Sequence, residues 1–288
     1  MKIGILGGSG KMGQWFGRFL TENGHQVWLW GRNPSKLAPI ATRLGVQAAT
    51  RPDMLGDMDC LIISVPIDAF EDTLRELAPF TKPDQLVFDL CSVKERPVEL
   101  MHQYLPHCRT LGTHPVFGPG AESLKGYNFI LTPTTAPETD LAQGVKTWLE
   151  KQGGNVSLIS PEEHDRLMSV VLGLAHFIAI VSADTLLGQN LPGISSAGGT
   201  TFRLLDTLTK SVLTEDPGLY ASLQVNMPKL PKLEADFIKK ATEWAELVKN
   251  GDKAEFARRM QTLKDNLART EPGFEKAYQA MYHLNQPR

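Results

Sequence analysis

Lys2-Ile3-Gly4-Ile5-Leu6-Gly7-Gly8-Ser9-Gly10-Lys11-Met12-Gly13 decides the fold class. A short apolar run, Ile3–Leu6, stops in glycines, and an amphipathic stretch, Met12–Asn23, follows at once. This reads as strand, tight turn and helix, with G-x-G-x-x-G at Gly8, Gly10 and Gly13. Gly8 is expected to permit the turn, Gly10 to let backbone N–H groups approach a pyrophosphate, and Gly13 to bring helix against strand. The helix N-terminus adds partial positive charge. A dinucleotide site built from Gly8, Ser9, Gly10, Lys11, Met12 and Gly13 is therefore expected.

Outward from that unit the same grammar repeats. Apolar runs at Val27–Trp30, Cys60–Val65, Leu86–Leu90, Thr110–Thr113, Phe129–Leu131 and Val156–Ile159 alternate with helical spacing such as Ser35–Leu44 and Ala69–Leu77. Alternation of this kind predicts a doubly wound, mostly parallel α/β sheet. Past Pro161 the strand signals stop. Glu162–Leu187 reads as one long helix, followed by helices at Lys232–Lys249, Lys253–Ala268 and Gly273–Tyr282, with Leu191–Thr201 as a loop. The predicted organisation is α/β: a Rossmann-type sheet domain over 1–160, then an all-α substrate and dimerisation domain over 161–288. The long helix is apolar on most of its circumference, more than one neighbouring face can cover, so a homodimer is expected.

Composition narrows the function classes. Thirty basic against 32 acidic residues leave a net charge of −2, which argues against a nucleic-acid or membrane-surface partner. Cys60, Cys91 and Cys108 show no metal or redox spacing, and no metal site is expected. The apolar stretch Leu167–Ala183 is interrupted by His176 and two serines and reads as a bundle-core helix rather than a membrane span. The chain opens directly on a strand, so neither a leader nor a fused domain is expected, and the location expected is cytoplasmic.

Cofactor identity turns on the end of the second strand. Enzymes that prefer NAD place a carboxylate there to grip ribose hydroxyls, whereas this chain reads Trp30-Gly31-Arg32-Asn33-Pro34-Ser35-Lys36. Arg32, helped by Ser35 or Lys36, suits a 2′-phosphate, which favours NADP over NAD; the alternative is a solvated loop cation. Ser64-Val65-Pro66 either lines the dinucleotide's path at the carboxyl end of a central strand or is simply a strand stop.

Two further segments look chemical. Asp89-Leu90-Cys91-Ser92-Val93-Lys94 ends a buried strand in polar groups, and His114-Pro115-Val116-Phe117-Gly118-Pro119 fixes an imidazole at a strand end. A nearby hydroxyl such as Ser92 could set the tautomer of His114, and such a histidine can accept a hydroxyl proton during hydride transfer. On the long helix, Asp165, Ser169 and His176 fall on one face at regular helical spacing, a polar stripe on an apolar helix. By itself His176 reads equally as a core histidine.

Together these motifs resemble the prephenate/arogenate dehydrogenases of the tyrosine branch, and the resemblance extends to His164-Asp165, Leu174-Ala175-His176 and Asp216-Pro217. It implies His114 as the catalytic base, Ser92 as the hydroxyl bonded to it and Lys94 close to the reaction centre. It also implies a substrate contact from His176, and Asp165, on the same helix face, is expected to join it. Where the family carries a carboxylate-binding arginine this chain has Ser211, so Arg203 or Lys210 is expected to replace it. The family's acidic residue after the catalytic histidine is replaced by Gly120, with Glu122 shortly beyond. The implied reaction is oxidative decarboxylation of prephenate to 4-hydroxyphenylpyruvate, with arogenate as the alternative small-molecule substrate. A β-hydroxyacid-type dehydrogenase would need a lysine on the first long helix, and Leu167–Leu187 has none. An NADP-binding redox sensor would have no use for His114, Ser92 and His176 together.

Overall fold

Ile3 and Ile5 of the first strand pack into one apolar cluster and Leu6 into a second, and Cys60 and Ile62 alternate with Leu61 and Ile63 in the same way. A strand buried on both faces must be covered by helices on both, which is what the computed structural model shows. It describes residues 1–189 and 193–284. The first unit comprises Met1–Met168 with Val225–Met227, the second Ser169–Gln224 with Pro228–Arg288.

In the first unit, β1 (Lys2–Leu6), α1 (Lys11–Glu22), β2 (Gln26–Trp30), α2 (Pro34–Leu44) and β3 (Gln47–Ala48) form one half of the sheet. The other half holds β4 (Cys60–Ile63), α3 (Phe70–Leu77), β5 (Leu86–Asp89), α4 (Glu95–Tyr104), β6 (Arg109–Pro115), β7 (Asn128–Thr132), α5 (Ala136–Lys151) and β8 (Asn155–Leu158). The strand order is β3-β2-β1-β4-β5-β6-β7-β8, parallel throughout except where β6 meets β7. The order reverses at β1, flanked by β2 and β4, so a crevice opens beyond the carboxyl ends of β1 and β4. All seven expected strands are present. The two-residue β3 is too short to leave a periodic signal.

The unit ends in α6 (Pro161–Met168). α6 goes with the first unit because its His164 and Asp165 are buried among the groups of β6 and α4 described below.

The second unit begins with six residues in the wider π geometry, Ser169–Leu174, before α7 (Ala175–Gly188). The long helix is thus not uniformly α. The extra residue per turn frees a carbonyl, and the Gly173 oxygen accepts instead from the Gln224 side chain at 3.1 Å. It also interrupts the 3.6-residue period on which a shared face for Asp165, Ser169 and His176 depends. Then come α8 (Ile194–Ala197), α9 (Thr200–Leu213), α10 (Pro217–Val225), α11 (Leu230–Lys249), α12 (Lys253–Thr270) and α13 (Ala277–Leu284). Asp252 caps α12 through the Glu255 N–H at 3.0 Å. Part of the expected loop Leu191–Thr201 lies outside the described residues, and the rest is largely helical.

Pro161–Gly188 is long and apolar enough to cross a membrane, and only 17% of its most apolar window is buried. Most of that window is therefore left uncovered by the rest of this chain. Val170, Val171, Val181 and Leu187 stand exposed along it.

Candidate active site

The glycine turn is built differently from its expected assignment. Gly7, not Gly8, holds the left-handed conformation, with φ 79°. A Cβ on Gly8 would meet Leu29 Cβ of β2 at 2.7 Å, and one on Gly13 would meet the Gly7 carbonyl oxygen at 2.6 Å. These two glycines let the turn lie on the sheet and α1 lie on the turn. Gly10 has only the Gly7 oxygen nearby, at 3.2 Å, and faces the crevice.

That crevice has a volume of about 380 Å³ and is lined by Ser9, Gly10, Arg32, Lys36, Ser64, Val65 and Pro66, with Asp72 and Glu76 of α3 on another wall. Gly8, Met12 and Gly13 support it from below, and Lys11 opens α1 at the surface. Ser35 is turned away, its hydroxyl donating to Asn33 Oδ1 at 2.7 Å, so Lys36 rather than Ser35 stands beside Arg32 at the rim. A side-chain-free backbone at Gly10, a helix N-terminus and two rim cations fit the diphosphate and ribose end of a dinucleotide.

A second set of residues meets at the ends of β5 and β6. Asp89, fully buried, accepts from the Thr113 N–H at 3.1 Å through Oδ1 and from the Cys91 N–H at 2.9 Å through Oδ2. Lys94 Nζ, equally buried, donates to Asp89 Oδ2 and to the Thr113 carbonyl at 2.7 Å. The spacing of Asp89 and Lys94 in the motif is the spacing of this ion pair. Its ammonium bonds to both strand ends, and Lys94 ties them together.

His114 is buried on β6, and its Nδ1 lies 2.8 Å from Nε2 of His164. His164 Nδ1 in turn lies 2.7 Å from Asp165 Oδ1. Asp165 also accepts the N–H groups of Lys94 at 2.6 Å and Glu95 at 2.9 Å, where α4 begins. Both Asp165 oxygens thus serve the N-terminus of α4, and Oδ1 also faces His164. Ser92 makes no hydrogen bond with His114 among the described residues; His164 occupies the Nδ1 side instead. Burial, then the neighbouring His164 and Lys94, hold the His114 imidazole well below its ordinary pKa. Burial lowers His164 too, against the opposing pull of Asp165. A neutral imidazole at a strand end can accept a proton.

Asp89 and His164 are the two members of this network to which sequence reasoning assigns no role. Both stand within the quoted motifs. An acidic residue closing an apolar strand, and adjacent His-Asp in the first turns of a helix, are the signals that could have found them.

In the second unit, His176 packs edge-on against Tyr220 with ring centroids 4.7 Å apart. Its Nδ1 is buried and has no hydrogen-bond partner among the described residues, and burial lowers its pKa. Arg203 is exposed on α9, while Lys210 is paired with Asp206 at 2.6 Å. Ser211 bonds back to its own helix at the Leu208 carbonyl, 2.8 Å away.

Comparison with known proteins gives a consistent result. Residues 16–158 match the model of the prephenate dehydrogenase nucleotide-binding domain, and residues 160–262 match that of the prephenate dehydrogenase dimerization domain. A probable arogenate/prephenate dehydrogenase of Methanocaldococcus jannaschii is 32% identical over 266 residues, which cover 91% of this chain and 60% of that protein. The chain thus spans well under two thirds of that relative's length. The Aquifex aeolicus prephenate dehydrogenase, solved with hydroxyphenyl propionate and NAD+, is 26% identical with TM-score 0.77, over 94% of this chain and 98% of that one. The Synechocystis arogenate dehydrogenase shares the fold, with TM-score 0.72 and 22% identity over 93% and 99% of the two chains.

Proposed function

Because this chain belongs to the prephenate dehydrogenase family, we propose that it converts prephenate to 4-hydroxyphenylpyruvate in tyrosine biosynthesis, with NADP as the oxidant. The observation that carries the reading is His114, a buried neutral imidazole in the family's His-Pro motif at the end of β6. The bound nicotinamide supplies the hydride acceptor. His114 takes the proton of the ring hydroxyl as that carbon loses hydride, and loss of the substrate's ring carboxylate as CO2 leaves an aromatic ring. The protein has one proton to move and a dianion to position. Arg203, exposed and able to bind a carboxylate with two parallel hydrogen bonds, suits the side-chain carboxylate better than the paired Lys210. His176, with an unpartnered buried nitrogen, suits a polar substrate group. Arogenate is the second reading, since the Methanocaldococcus relative is described as a probable dehydrogenase of either substrate.

NADP is favoured by Arg32 and Lys36 at the cleft rim, where no carboxylate follows β2. The NAD+ of the Aquifex relative is the competing precedent. Arg32→Asp is expected to lower kcat/KM with NADP by about ten- to a hundredfold, the worth of one hydrogen bond to a charged group, and to leave NAD turnover equal or better. Kinetics of wild type and variant with both cofactors, and with prephenate and arogenate, test this. Wild type preferring NAD contradicts it.

A homodimer is the expected assembly. Pro161–Gly188 leaves apolar residues exposed, and α12 separately exposes Met260, Leu263 and Leu267 as one helical stripe. The match to a dimerization domain supports a second copy as the cover. Light scattering during gel filtration should give twice 31.8 kDa at micromolar concentration, and the monomer mass would contradict it. Three free thiols, Cys60 and Cys91 buried and Cys108 partly so, suit a reducing cytoplasm.

A further inference from the structure

His114 stands at one end of a hydrogen-bonded chain whose polarity can be read from the other. Backbone N–H groups can only donate, and those of Lys94 and Glu95 donate to the two oxygens of Asp165, at 2.6 and 2.9 Å. Asp165 therefore presents lone pairs, and Oδ1 accepts the Nδ1–H of His164 at 2.7 Å. A neutral imidazole has one donor and one acceptor, so Nε2 of His164 is an acceptor. The bond of 2.8 Å to His114 is then donated by His114 Nδ1–H. The Nε2 of His114 is left with a lone pair.

We propose that His164, oriented by Asp165, is the positioning residue that fixes His114 in its Nδ1–H tautomer and so makes Nε2 the atom that takes the substrate proton. This rests on the reading of His114 as the base of the dehydrogenase. The ring order Asp165–His164–His114 does what a single carboxylate does behind a catalytic imidazole elsewhere, holding tautomer and orientation. The extra ring has a consequence. After Nε2 takes a proton, His114 keeps its Nδ1–H bond to a neutral partner, so no bond in the chain has to break or turn. Lys94 does not compete for His164, because Asp89 and the Thr113 carbonyl hold its ammonium. Burial of both imidazoles keeps them neutral, as the arrangement requires.

The test has two arms. In 15N-histidine-labelled wild type, NMR assigned with the His114→Asn variant should show His114 protonated at Nδ1 and His164 at Nδ1. His114 protonated at Nε2 overturns the proposal, whether or not the protein is active. In kinetics, His164→Leu should lower kcat by about ten- to a hundredfold with KM for substrate and cofactor within about twofold, a part of what a general base contributes. His164→Gln places an amide oxygen near the lost Nε2 as an acceptor, and should recover most of kcat. A His164→Leu enzyme with wild-type kcat, or a Gln variant no better than Leu while both are folded, also overturns it. Wild type inactive on prephenate and arogenate alike would remove the proposed reaction instead, and the tautomer result would stand apart from it.

Discussion

Replacing His114 with Asn lowers kcat by about two to four orders of magnitude and leaves KM for the substrate within a few-fold. The change is chosen for its geometry. An Asn amide nitrogen falls near the Nδ1 position and can keep the bond to His164 Nε2, while nothing remains at the Nε2 position to take a proton. Loss of rate therefore reports loss of the base, not loss of fold. The wild-type pH profile carries the same information. Burial, His164 and Lys94 hold the His114 pKa well below the ordinary imidazole value of about 6.5, so the acid limb of kcat/KM should lie below that value. Stability follows the same sign. As pH falls below about 6.5 an unfolded chain takes up a proton that folded His114 refuses, and stability drops. Steady-state kinetics against pH for wild type and variant check both points, and an unchanged kcat in His114→Asn removes this residue from the mechanism.

Lys94→Met should cost about 3–5 kcal/mol of stability, the usual result of stranding one charge of a buried pair. Asp89 and Lys94 are both fully buried, and the ammonium is the one cation paired with this carboxylate among the described residues. Changing Asp89 to Leu as well is not expected to restore the loss. The N–H groups of Cys91 and Thr113 both end on Asp89 and would be left without an acceptor. Denaturant midpoints at constant slope measure the effect, and a midpoint near wild type would show that the pair contributes little. Because Thr113 precedes His114, the single variant should also lose activity while still folded.

Much of this was legible in the sequence because it is local. The glycine-rich turn and the apolar strand runs are each encoded within a few neighbouring residues. The network behind His114 is not local. Asp89, Lys94, His114, His164 and Asp165 come from β5, the start of α4, β6 and α6, and their partners are chosen by the sheet register rather than by spacing along the chain. Hence the two backbone donors to Asp165 are not legible along the chain. The π turn at Ser169–Leu174 has no sequence signal of its own, since its apolar run continues the pattern of the helix on either side. Helix α9 escaped notice because its threonines and serine are poor helix formers, and α10 because it opens on Pro217-Gly218. Within the turn itself, adjacent glycines at 7 and 8 leave the left-handed position ambiguous until the backbone is in hand.

The most direct test of the central claim is the stoichiometry of a single incubation: wild-type protein, NADP and prephenate, with reduced cofactor, CO2 and 4-hydroxyphenylpyruvate measured together. Equal amounts of all three, formed at a rate that His114→Asn loses, are the predicted result. Reduced cofactor without CO2, or none from prephenate or arogenate with either nicotinamide, would contradict it.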